Sequence, residues 1–268
     1  METALDKMEI MEIRSTLLNK VPEITIVFWI IKIMSTTVGE TGADYLAVHV
    51  GLGATVTAAI MVVFLIAALI RQVRAPRYVP WIYWLTVVLV SVVGTQITDF
   101  LTDKLDISLY VSSAIFSVLL ALTFAVWYAV ERTLSIHTIV TTRRELFYWA
   151  AVLFTFALGT AAGDLATEAL SLGFNVGVLA FGALIGLIAA AYFLGANEVL
   201  TFWLAYILTR PLGASLGDLL SQSREYGGLG FGTTYTSLAF LTVIVALVAL
   251  ASFNAIGVGR GRAAAGDA

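Results

Sequence analysis

Four aspartates stand at one register of this chain, and a carboxylate held inside a protein can bind a cation or carry a proton. Asp44, Asp99, Asp164 and Asp218 each lie five residues beyond a glycine, at Gly39, Gly94, Gly159 and Gly213. Each glycine lies ten residues beyond a tryptophan, at Trp29, Trp84, Trp149 and Trp203. The stretches align without gaps: FWIIKIMSTTVGETGADYL (28–46), YWLTVVLVSVVGTQITDFL (83–101), YWAAVLFTFALGTAAGDLA (148–166) and FWLAYILTRPLGASLGDLL (202–220). One Gly-x4-Asp would be noise, whereas four copies of W-x9-G-x4-D in fixed register are an internal repeat. The position after each glycine holds Glu40, Thr95, Thr160 and Ala214. One helical turn beyond the aspartates come Asp103 and Glu168, with Val48 and Gln222 as their equivalents. Two bases share these stretches, Lys32 and Arg210.

The elements that must position these groups are read from hydropathy. Of 268 residues, 60% are hydrophobic and 12% charged, and the mean hydropathy is +0.94. A soluble domain is nearer half apolar and a quarter charged. Apolar runs of about 20 residues, the length that crosses a bilayer core, recur near 24–48, 52–71, 79–103, 108–131, 146–169, 174–195, 198–221 and 233–254. Arg71, Arg74 and Arg77, then Arg132, Arg143 and Arg144, then Arg260 and Arg262 fall on one side of these spans. By the positive-inside rule that side is cytoplasmic. The sequence therefore predicts an all-α integral membrane protein of eight transmembrane helices, made from four two-helix repeats, with both termini cytoplasmic. Its organisation reads as a cytoplasmic N-terminal arm (1–22), one transmembrane domain (23–255, with repeats near 23–75, 76–140, 141–196 and 197–255) and a cytoplasmic tail (256–268).

The repeat occupies only the odd spans. A tryptophan at the cytoplasmic start of each fits an interfacial belt. The glycines let helices approach closely, or let a helix break beside a cavity. Each aspartate would lie about 22 Å beyond its tryptophan on an unbroken helix, toward the outer half. Four odd spans can then surround a centre while the even spans, almost wholly aliphatic, shield it from lipid. Ionisable groups at membrane depth face a bundle interior or water and mark ion pathways. The candidate cation ligands are Glu40, Asp44, Asp99, Asp164 and Asp218, with Lys32 and Arg210 as counter-ions that either exchange partners during a cycle or hold helices one and seven in a fixed pair. Arg210 is followed by Pro211, a candidate hinge.

Carboxylate, carbonyl and hydroxyl oxygens suit hard cations such as Mn²⁺, Mg²⁺ or Ca²⁺. The chain has no Cys, and its two His, His49 and His137, read as an outer-mouth residue and a loop residue. Mn²⁺ is favoured, as cargo and not as a resident cofactor. No nucleophile–base pair points to an enzyme. The glycine-rich REYGGLGFGTT (224–234) lacks the Gly-Lys-Ser/Thr of a phosphate loop. The 135–146 loop reads as a positive-inside anchor with a helix cap at Thr141 or Thr142.

KVPEITIVFWIIKIMSTTVGETGADYL and TRPLGASLGD resemble a family of conserved bacterial multi-spanning "membrane-anchored" proteins of unassigned function, over roughly 20–255. The resemblance implies a multi-pass protein of a bacterial inner membrane and names no substrate. The resulting expectation is a divalent-cation exporter that works by alternating access around intramembrane carboxylates. The alternatives are a proton or organic-cation transporter, or a non-transporting scaffold whose acids and bases only pair. Expected partners are membrane lipid and a cation, with no nucleic acid; an oligomer is compatible with the sequence.

Overall fold

The computed structural model describes residues 18–45 and 53–266, and within them the side chains of 43, 44, 168 and 254–266 are outside the described set. Eight α-helices and no strand occur among the described residues: α1 (Ile26–Asp44), α2 (Ala54–Arg74), α3 (Pro80–Asp99), α4 (Leu109–Glu131), α5 (Thr142–Asp164), α6 (Gly173–Phe193), α7 (Glu198–Ser221) and α8 (Thr233–Gly266). Seven of them, α2 to α8, are long and apolar enough to cross a membrane. The chain is thus a multi-pass membrane protein.

Local sequence sets the helix starts. Thr25, Ser108, Thr141 and Asn197 each accept a bond from a first-turn amide, which satisfies a donor the helix leaves unpaired. Pro80 occupies the first turn of α3, where its missing N–H costs nothing. Helix α5 starts at Thr142, four residues before the expected span, because the Thr141 cap fixes it there. Helix α7 runs unbroken through Pro211.

The odd helices form a closed ring in the order α1, α3, α5, α7 and back to α1. The even helices lie outside it, and each packs on the inner helix of the following repeat: α2 on α3, α4 on α5, α6 on α7, and α8 on α1. Every repeat therefore lends its outer helix to its neighbour, and the last one closes the circle.

Two repeat positions hold this ring. A methyl group on Gly39 would overlap Ser91, on Gly94 Phe156, on Gly159 Arg210, and on Gly213 Thr36. Each of those neighbours stands three residues before the next repeat's glycine, so all four seams share one geometry. The glycines are thus contact points between helix backbones and not breaks. Thr37 and Thr98 stitch two of the seams by donating to Gly213 O at 3.1 Å and Ala157 O at 3.1 Å, as small and hydroxyl residues do between membrane helices.

The second position is the aromatic pair. The ring before each tryptophan packs on the next repeat's tryptophan: Phe28 on Trp84 at 5.5 Å, Tyr83 on Trp149 at 5.4 Å, Tyr148 on Trp203 at 6.1 Å and Phe202 on Trp29 at 5.7 Å between centroids. Trp84, Trp149 and Trp203 are 3–4% exposed. This corrects the interfacial-belt expectation. Trp84, Trp149 and Trp203 are interior side chains whose faces close on neighbouring rings, and Trp29 is half-buried at the same level.

Candidate functional site

Beyond the aromatic end, the polar residues of the inner helices rise in tiers. Lys32 is fully buried, and its ammonium lies 3.9 Å from the centre of the Phe156 ring and 4.2 Å from that of Tyr206. It has no hydrogen-bond acceptor among the described residues. Cation–π attraction is its visible stabilisation. Lys32 was expected beside a carboxylate; a ring of the opposite repeat, Phe156, and one of the adjoining repeat, Tyr206, reach it instead.

Arg210 forms the next tier and is also fully buried. Its Nη2 donates to Glu40 at 2.7 Å and to Thr160 Oγ1 at 2.7 Å, and it contacts Thr95 Oγ1. Its Nη1 donates to Thr36 O at 2.6 Å and its Nε to Thr160 Oγ1 at 3.1 Å. The Arg210–Glu40 ion pair joins α7 to α1, a contact that both the fixed-pair and the partner-exchange readings require. Thr95 and Thr160 extend the network to α3 and α5. The unexplained position after each glycine thereby gains a role: in three repeats it supplies an oxygen to the guanidinium of the fourth.

The third tier is the acid end. A cavity of about 300 Å³ is lined by Glu40, Asp99, Asp103, Asp164 and Asp218, with Thr102 and Gln222 among its other walls. Each of the four inner helices contributes an acid, and no Lys or Arg lines the cavity among the described residues. The structure thus brings together four of the five expected ligands, Glu40, Asp99, Asp164 and Asp218. The side chain of Asp44 and the whole of His49 lie outside the described residues, as does the side chain of Glu168. Among the described residues no three His, Cys, Asp or Glu side chains approach closely enough to chelate one metal ion. The acids surround a space and do not grip a point.

The backbone changes at the same level. After Asp99 the chain continues as a π-helix over Phe100–Lys104, and after Asp164 over Leu165–Ala169; Tyr45, after Asp44, adopts the same form. Helix α7 alone stays α-helical past its aspartate, to Ser221. Single π turns frequently mark functional positions in helices.

With this geometry in view, the family comparison is specific. Copies of the Repeat of Unknown Function (DUF347) match residues 27–78, 82–133, 147–196 and 201–256. The chain belongs to this repeat family. Each DUF347 copy covers one inner helix and the outer helix that follows it, so the family unit is half a seam on each side and is complete only in the ring. No curated protein and no solved structure matches the chain.

Sequence reasoning missed a second buried polar cluster. Lys20 donates to Glu145 at 2.8 Å and to Val73 O at 2.9 Å, and Gln72 donates to Glu145 at 2.9 Å. It ties the segment before α1 to α2 and α5 at the aromatic end. Nothing in RREL marks Glu145 as buried, since it stands in a charged run. The aromatic packing had a signal: both residues of all four dipeptides are aromatic, whereas an interfacial anchor needs one.

Proposed function

We propose that this protein is a transporter of a hard divalent cation in a bacterial inner membrane, with Mn²⁺ favoured over Mg²⁺ and Ca²⁺. The single observation that carries this reading is the convergence of carboxyl groups from all four inner helices on one cavity. Like charges that share one cavity raise one another's cost of ionising, and a cation relieves them. The spread of the acids suits an ion that keeps part of its water shell, as Mg²⁺-like ions do, and that the oxygen atoms attract without stripping it. In this proposal α1 is the eighth span, both termini are cytoplasmic, and the arginine-rich aromatic end faces the cytoplasm. The present state is then closed inside by aromatic packing and open outside at the acids. It corresponds to the release step of an exporter with alternating access, in which Arg210 and Lys32 balance the carboxylates between ions. No role as an enzyme is proposed.

A second reading has one observation in its favour. Phe156 and Tyr206 already hold an ammonium group, and such rings also recognise organic ammonium ions.

Purified protein in vesicles loaded with a Mn²⁺-sensitive dye decides between these. Wild type should carry Mn²⁺, and Asp99→Asn, Asp164→Asn or Asp218→Asn should each slow flux on the order of tenfold, the equivalent of about 1.4 kcal/mol. Flux no faster than in protein-free vesicles, or variants all equal to wild type, would count against the transporter. Competition by tetramethylammonium but not by Mg²⁺ would favour the second reading.

A further inference from the structure

One nitrogen of Arg210 meets more oxygen than its own N–H bonds can serve singly. Its Nη2 has two N–H bonds, yet three oxygens from three helices converge on that atom: Glu40 Oε2 from α1, Thr95 Oγ1 from α3 and Thr160 Oγ1 from α5. Thr36 O completes the set around the same guanidinium. The four groups comprise one carboxylate, two hydroxyls and one carbonyl, all neutral or anionic. Three of them, Glu40, Thr95 and Thr160, come from matched positions of the repeat, so three inner helices present an oxygen at the same level. A planar fork is best served by a planar acceptor such as a bidentate carboxylate. Oxygens gathered from three directions around one atom serve a sphere of charge.

We propose that this tier is a second cation site, filled in the present state by the guanidinium of Arg210, and that a divalent cation stripped of water occupies it when Arg210 withdraws. The inference rests on the transport reading above and deepens it. In the export direction the cage of Glu40, Thr95, Thr160 and Thr36 O supplies an inner oxygen shell of the kind hard cations take, and the acid cavity beyond it receives the ion as it regains water. Glu40 belongs to both, lining the cavity and pairing with Arg210, so it hands the ion from one to the other. Arg210 is then a tethered competitor that keeps the inner site closed until the ion arrives.

The test is a count of bound Mn²⁺ by electron paramagnetic resonance on the full chain in detergent, with folding checked by monodisperse elution. Arg210→Ala should bind one more Mn²⁺ per chain than wild type. Adding Thr95→Val and Thr160→Val should abolish the extra ion, while adding Asp99→Asn should leave it. Arg210→Lys, which keeps a tethered cation, should gain none. Should Arg210→Ala fail to fold, Arg210→Gln replaces it under the same criterion. A folded Arg210 variant without the extra ion, or an extra ion indifferent to the threonine pair, overturns the proposal. An extra ion in a protein whose wild type carries no divalent cation into vesicles would sink the transport reading and leave the cage standing. Transport without the extra ion would sink the cage alone.

Discussion

At one end of the inner ring eight aromatic side chains from four helices close on one another, while at the other end five carboxyl groups stand around a cavity of about 300 Å³. The same four segments build both ends. They differ in how faithfully the repeat is kept. Where packing is the task, every copy agrees: aromatic, Trp and Gly recur without exception. Where charge is handled, the aspartate also recurs, but the positions deeper in the ring diverge, with Lys32, Val87, Val152 and Tyr206 at one and Glu40, Thr95, Thr160 and Ala214 at another. The aspartates keep the symmetry of the frame and so gather like charge at one level, which raises the cost of ionising them together. The two bases break that symmetry: each occurs in a single copy, Lys32 in the first and Arg210 in the fourth.

That contrast can be broken at its strongest point first. Trp149→Ala at the closed end removes a buried indole and should lower stability by about 3–5 kcal/mol, read as a fall in the thermal midpoint in detergent. Asp164→Asn at the open end, which keeps the side chain's shape on the cavity wall, should cost less, about 1 kcal/mol, by the same reading. Equal losses at both sites would mean that the ends are not different in kind. The seam between them comes next. Gly213→Ala places a methyl on Thr36 and should cost about 1–3 kcal/mol through overpacking. The smallest effect is the control on an outer helix. An added Cβ at Gly186 of α6 meets nothing within 4 Å, so Gly186→Ala should stabilise by about 0.5–1 kcal/mol. A loss there would show that the outer helices depend on close approach as the inner ones do.

The candidate site was largely legible before any coordinates. Register alone marked the four glycines and aspartates, and helical spacing placed the aspartates together along the odd spans. Composition separated an outer aliphatic set from an inner polar one. What periodicity could not read was partnership. Spacing did not single out Glu40 from the four aspartates as the acid that pairs with Arg210, and Lys32 meets rings where a carboxylate was expected. The tryptophans were misplaced for the same reason: position along a helix gives depth, and depth at the interface admits an aromatic on either face.

By itself, then, the sequence determined that this is a helical membrane protein of internal repeats, and which helices carry its charged groups, because hydropathy and spacing are properties of single segments. Only the tertiary structure decided that the odd helices close into a ring, that each outer helix belongs to its neighbour's seam, and that one guanidinium sits among oxygens from three other helices. Those facts depend on which surfaces meet. Glycine contacts, ring pairs and buried ion pairs form across segments more than fifty residues apart, and no local pattern encodes the rotation that brings them face to face.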